Sequence, residues 1–348
     1  SISMGAAKRT RKTDSGGMVR IDDVDASFAE VTVGDLAAIR EKLSSRWSTP
    51  RARKIPQGTD VFLRELGAGI DPVSIENEVP AIIVIAPYFR CSEIPGSHFD
   101  FGRSFVRRDA IATLAPILED VHGLPIRRLM LFAHTDRSGP EALNKELSER
   151  RAKALYALAT HDAAAWEDLF TNQSSGGNWS EVWGTKEVQH MLNALRCRDD
   201  QGASLVENGK NDAPTVQAIK RFQGGGYPDV PGEQAPLTAD GIVGPLTRKE
   251  LFLAYAKRIS RAPLPHDRIA LVNGEKFMGC GEYNPLSVAA KDAQSRRAVA
   301  FVFDNAAAPQ GLPCKLRSLT PCKGNVDPEA SEPPEGGEPP YRCQIYRD

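Results

Sequence analysis

The sequence predicts an α+β fold: helices layered on one mixed sheet, interrupted by a small inserted helical domain. Two patterns predict it. Short β-branched runs alternate with stretches whose apolar residues recur at helical spacing. These runs fall into two groups, separated by roughly 100 residues, too long for a structureless loop within a compact domain. The chain length, 348 residues, is ample for two domains.

Taken in order, residues 1–20 read as disordered. Residues 21–78 read as an N-terminal region without an assignable role. It holds one expected helix, Val33 to Ser45, with Leu36, Ile39 and Leu43 on one face. Residues 79–90 (VPAIIVIAPYFR) form an apolar run of strand length. FDFGRS, Phe99 to Ser104, follows a Pro-Gly turn. Arg107 to His122 is expected to be a helix packing Ile111, Leu114, Ile117, Leu118 and Val121. Arg127 to Phe132 is the next strand. A helix from about Pro140 to Thr160 follows, with proline suited to its first turn. Arg268 to Val272 and Ala298 to Phe303 read as the closing strands, with GCGEYNPLS as a loop between them.

The excursion has a pattern of its own. Val188 to Leu195, Thr215 to Gln223 and Asp240 to Leu251 carry helical blocks. Asp240-Gly241 and Gly244-Pro245 are turn signals, and Thr247 is a candidate cap. Trp166, Phe170, Trp179 and Trp183 lie in its entry segment. They are expected to pack at the domain junction, with stacking on sugars as the alternative.

Composition narrows the function. The net charge of −1 points to neither nucleic acid nor a membrane surface as a general partner. No apolar run approaches the roughly 18 residues that span a bilayer, so no transmembrane segment is expected. No secretory leader is legible in SISMGAAKRTRKTDSGG. None of the six cysteines forms C-x-x-C or a zinc-site spacing. Cys314, Cys322 and Cys343 stand in the Pro/Gly-rich tail, residues 305–348, where disulfides are expected and unpaired thiols are the alternative. The six histidines are scattered, and neither H-E-x-x-H nor G-x-S-x-G occurs. No metal, no cofactor and no catalytic residue is therefore assigned, and binding is favoured over catalysis.

The most informative stretch is AHTDRSGPEALNKELSERRA, Ala133 to Ala152. It places Asp136 in a strand-to-helix loop, where binding groups concentrate. At about 100° per residue, Asn144, Ser148, Arg151 and Leu155 share one helical stripe beside an apolar stripe of Leu143, Leu147, Ala154 and Leu158. Asp136 and Arg151 then face one small volume. Held apart, they suit a ligand carrying both an ammonium and a carboxylate; in contact, they are a plain salt bridge. Both readings stand at this point. His134 reads as a structural hydrogen-bonder.

HTDRSGPEALNKELSERRA resembles the signature of the OmpA-like C-terminal domain, and FDFGRS, GCGEYNP and SRRAV extend the likeness. The resemblance implies an OmpA-like βαβαβ(β) arrangement over residues 79–160 plus 266–304. It also implies non-covalent binding of peptidoglycan through the diaminopimelate of its stem peptide. Asp136 and Arg151 would hold the zwitterionic end of that residue. Thr135, Asn144, Leu147 and Ser148 would shape the pocket, and Arg296 and Arg297 match the family's closing pair. Ser295 stands where the family has Asn. Residues 161–265 resemble the small three-helix peptidoglycan-binding domain found beside cell-wall hydrolases, on V-x-x-x-L-N-x-L, A-I-x-x-F-Q and D-G-I-V-G-P-x-T. The resemblances imply a periplasmic, envelope or secreted protein that anchors itself or a partner to the wall. The alternative is a soluble component or effector of a secretion or contractile injection system, with wall hydrolysis left open. Residues 21–78 would then dock to an envelope or secretion-system protein.

Overall fold

The chain divides into two compact units, with the main division between Arg90 and Cys91. The computed structural model describes residues 2–4, 7–9, 28–31, 60–65, 73–76, 79, 81–86, 89–125, 127–172, 174–176, 179–226, 237–269, 275–282, 285–287 and 289–304. The expected helix at Val33 to Ser45 and the tail cysteines lie outside these residues.

The N-terminal unit is built from strands. β1 (Ile2–Met4) pairs antiparallel with β2 (Ala7–Arg9) and with β3 (Phe28–Val31). Residues 1–20 are therefore not wholly without structure, as their polarity suggested. Only Gly5 and Ala6 separate the paired Met4 and Ala7, a spacing and a glycine suited to a tight hairpin. After β4 (Asp60–Glu65), β5 (Val73–Glu76) joins β3, giving the order β2-β1-β3-β5. β6 (Ala81–Ala86) pairs with β4 in parallel along all six of its residues.

That last pairing corrects the reading of residues 79–90 as one strand of the sheet domain. The apolar run falls into two strands, one ending at Ala86 and the other starting at Phe89. Its first part, β6, belongs to the N-terminal unit. β7 (Phe89–Pro95) enters the second sheet.

The second unit is an α+β body. Its sheet runs in the order β11-β8-β12-β7, with β8 at Arg127–Ala133, β11 at Met278–Gly279 and β12 at Arg297–Asp304. β11 is parallel to β8 and ends at Gly279, the first residue of the segment expected to be a loop. Ile269 bridges Leu129 in parallel; the remainder of the strand expected at Arg268 to Val272 lies outside the described residues. α1 (Ile111–Gly123) buries Leu114, Ile117, Leu118 and Val121, following its apolar spacing. α2 (Glu141–Thr160) begins after Pro140.

α2 is buried on more faces than its pattern suggests: Lys145, Ser148, Arg150 and Arg151 are as buried as Leu155 and Leu158. The insertion covers Arg150, while the Gly279–Gly281 loop covers Lys145 and Ser148 and the loop before α1 covers Arg151. The insertion opens with α3 (Ala163–Thr171), capped by Asp162, whose carboxylate accepts the N–H groups of Ala164 and Ala165. The short pair β9 (Ser174–Gly176) and β10 (Trp179–Glu181) follows, then α4 (Thr185–Ala194), α5 (Ala213–Gln223) and α6 (Pro245–Ile259). No helix among the described residues is long and apolar enough to cross a membrane.

The insertion is joined firmly to the sheet body. Phe105 makes edge contacts with Trp166, Trp183 and His190 at centroid distances of 5.5, 5.3 and 5.4 Å, and it stacks on Tyr255. Trp166 and Trp183 thus pack at the junction. The Tyr255 hydroxyl donates to the Val106 carbonyl at 2.9 Å, and the Arg108 N–H donates to His190 Nε2 at 2.8 Å. Glu181, fully buried, accepts from Ser104 N–H and Oγ, Arg150 Nε and Trp183 Nε1. Arg150 in turn donates to the carbonyls of Asn172 and Leu169. One buried ion pair therefore links three segments: the loop before α1, helix α2 and the start of the insertion.

Inside the insertion, one device occurs twice. Gln189 Nε2 donates to Asn208 Oδ1, the Lys210 carbonyl and Thr215 Oγ1, while its Oε1 accepts from Gly209 N–H. Gln223 Nε2 donates to Asp240 Oδ1, the Ile242 carbonyl and Thr247 Oγ1, while its Oε1 accepts from Gly241 N–H. In both copies a buried glutamine holds an Asx-Gly turn and the first turn of the next helix, with the glycine at positive φ. Thr247 therefore does not cap α6; Gly244 occupies that position, and the Thr247 hydroxyl is engaged by Gln223.

Candidate functional site

The loop after β8 is shaped by backbone hydrogen bonds. Thr135 N–H donates to the Gly281 carbonyl at 2.8 Å and Arg137 N–H to the Ala290 carbonyl at 2.9 Å. His134 is fully buried; its N–H donates to the Arg297 carbonyl, and its own carbonyl accepts from Arg151. Asp136 is fixed between these anchors and is only 4% exposed.

The Asp136 carboxylate is fully engaged. Oδ1 accepts the Ser138 N–H at 3.2 Å and hydroxyl at 2.5 Å. Oδ2 accepts from Arg296 Nη1 at 2.6 Å and from the Asp292 N–H at 3.3 Å. Burial works to raise its pKa, but the Ser138 hydroxyl and the Arg296 guanidinium outweigh it, and the carboxyl titrates below the usual carboxylate range.

Its partner is thus Arg296. Arg151, the partner that helical spacing suggested, donates from Nε to the Arg103 carbonyl at 2.9 Å and from Nη1 to the His134 carbonyl at 3.5 Å. It is 1% exposed, with the Phe99 ring 4.9 Å from its guanidinium carbon. Burial brings its pKa down to about 10, so it is charged at neutral pH. Of the two readings of Asp136 and Arg151, the plain salt bridge is not the one observed: the two share a neighbourhood, held apart on different partners. The loop before α1 captures Arg151, a long-range contact that spacing along one helix does not report.

Arg296 and Arg297 also separate. Adjacent residues at a strand point to opposite faces. Arg296 meets Asp136, while Arg297, 1% exposed, lies 3.7 Å from Glu93 on β7. Ser295, in place of the family's Asn, donates to Asp292 Oδ2 and accepts the Leu286 N–H, so it shapes the loop that delivers the Asp292 N–H.

The α2 residues serve mainly to hold the loop at Gly279–Glu282. The Ser148 hydroxyl donates to the Lys145 carbonyl and accepts the Gly281 N–H, each at 2.8 Å. Lys145 Nζ donates to the Gly279 carbonyl. Asn144 Nδ2 donates to the Gly139 carbonyl and to Glu282 Oε2, both at 3.2 Å. Leu147 is buried among them. Gly279 is required for this approach: a Cβ there would lie 2.0 Å from the Glu149 nitrogen.

Two features escape sequence reasoning. Glu282 adds a second carboxylate beside Asn144; burial raises its pKa, against the Asn144 hydrogen bond. The Thr135 hydroxyl, next to Asp136 in the chain, is buried without a hydrogen-bond partner among the described residues. Such groups are uncommon and call for a reason. Among the described residues, no three His, Cys, Asp or Glu side chains group as metal ligands. Compared with protein-family models, curated proteins and solved structures, the chain shows no match.

Proposed function

We propose that this protein binds peptidoglycan non-covalently, through the diaminopimelate of its stem peptide, and so anchors itself or a partner to the bacterial wall. The carrying observation is Asp136: an ionised carboxylate in a strand-to-helix loop, covered by a partly exposed cation. A ligand ammonium suits that carboxylate. The OmpA-like signature supplies the ligand's identity. The insertion, with its resemblance to a second wall-binding module, packs against the first through Phe105 and Glu181. Two wall-binding modules in one chain would strengthen retention where the wall presents both ligands at matching spacing.

The test is co-sedimentation of the full chain with purified sacculi. The wild type is expected to pellet with them. Asp136→Asn, which keeps shape and removes the charge, is expected to be retained clearly less than the wild type while melting as a folded protein. Equal retention of the folded variant would remove Asp136 from the site. Soluble muropeptides appearing in the wild-type supernatant would overturn the choice of binding over hydrolysis.

A further inference from the structure

A carboxylate offers about four acceptor positions, and Asp136 receives four donors. A ligand ammonium can therefore reach it only by displacing one of them. Ser138 and Asp292 act from the short loops that enclose the site. Arg296 reaches it with a long side chain that is 23% exposed.

Its backbone is held in place. A Cβ on Gly96 would lie 1.8 Å from the Arg296 carbonyl oxygen, so Gly96 lets the two segments meet and leaves the Arg296 main chain no room on that side. While paired with Asp136, the guanidinium also rests at the mouth of the site, its carbon 5.8 Å from the centroid of Phe101, a ring 74% exposed. Arg151, by contrast, is 1% exposed and donates to the carbonyls of Arg103 and His134.

We propose that Arg296 is an exchangeable counter-ion. It holds Asp136 in the ligand-free protein, gives way to the ammonium of a zwitterionic amino-acid centre, and then binds the carboxylate of that same centre. No proton or covalent bond changes hands. One internal ion pair is replaced by two intermolecular ones, and Phe101 lines the path of the moving guanidinium. A ligand with only the ammonium opens the pair but gives Arg296 no new partner. A ligand with only the carboxylate leaves Asp136 closed. The site thus selects for both charges together, with Arg296 as its carboxylate-binding residue. The identity of the zwitterion rests on the peptidoglycan reading.

The test titrates the full chain with two soluble muropeptides. One carries meso-diaminopimelate; the other carries lysine, which has the same ammonium but no carboxylate at that end. Wild type is expected to prefer the diaminopimelate form. Arg296→Gln is expected to weaken that form at least about tenfold, as loss of a charge-assisted pair implies, and to erase the preference. Unchanged or tighter binding by Arg296→Gln, with wild type still binding, overturns the exchange and leaves wall binding intact. A second readout is the Arg296 Nε–H resonance, assigned by its loss in Arg296→Gln. It should shift when free meso-diaminopimelate is added; an unmoved resonance at saturating ligand overturns the exchange. A shift with free diaminopimelate but no binding of either muropeptide would instead reject the peptidoglycan reading.

Discussion

Asp136 and Arg151 take their partners through long-range contacts. Asp136 and Arg151 lie in one continuous stretch, and helical geometry brings them near each other. Their partners nevertheless come from elsewhere: Arg296 from the edge of β12 for Asp136, and the Arg103 carbonyl for Arg151. The presence of both residues near the site was legible in the sequence. Their pairing was not, because it depends on which distant loop closes over them. Glycine acts at the same scale. Gly279 has the Glu149 backbone where a side chain would begin. Gly279→Ala is expected to destabilise the full chain by about 1–3 kcal/mol, the usual cost of overpacking. Urea unfolding measures it, and a midpoint equal to wild type would mean that α2 and β11 can part without cost.

The legibility of the elements followed their patterns. α1, α2, α4, α5 and β12 appear close to where apolar spacing placed them, because each buries a regular stripe or run. β6 and β7 were merged, because an apolar run does not state which sheet will take each half. The paired roles of Gln189 and Gln223 were visible in principle: Asn208-Gly209 and Asp240-Gly241 each stand six residues before a threonine. A buried glutamine satisfied by four hydrogen bonds is a structural anchor, and the repeat of that arrangement would have marked the insertion as two related halves.

α4 also carries a titratable contact. His190 accepts the Arg108 N–H on Nε2, and its Nδ1 lies 2.9 Å from Glu207 Oε2, so the neutral ring with a proton on Nδ1 satisfies both. Burial lowers its pKa below the ordinary 6.5, against the pull of Glu207. As pH falls through 6.5 the unfolded chain takes up a proton that the folded chain does not, so this contribution to stability is complete above 6.5 and declines below it. The melting temperature is expected to fall between about pH 7.5 and pH 5.5, and His190→Gln should flatten that slope. An identical slope in the variant would assign the effect to another group.

At the scale of the whole molecule, the insertion and the sheet body should behave as one. The cluster around Phe105 crosses the junction, and aromatic pairs of this kind contribute about 0.5–1.5 kcal/mol each beyond their burial. Glu181 compensates the buried Arg150, and removing one partner of such a pair costs about 3–5 kcal/mol. In the wild type, hydrogen exchange is expected to report one shared opening of α5, α6 and the central strands β8 and β12. In Glu181→Ala, the insertion helices should lose protection before those strands. Separate opening of the two in the wild type would show that the junction is a tether rather than a weld.

The two ends of the excursion meet: the Leu264 N–H donates to the Ala159 carbonyl at 2.8 Å. To the sheet domain, the whole insertion therefore spans almost no distance. In polymer terms it is a closed loop, and each doubling of loop length adds only about 0.6 kcal/mol of closure entropy. A fold could be acquired at this point without stretching its host. Any replacement with adjoining termini would fit the connection, but it would also have to supply a cover for Phe105 and a counter-charge for Arg150.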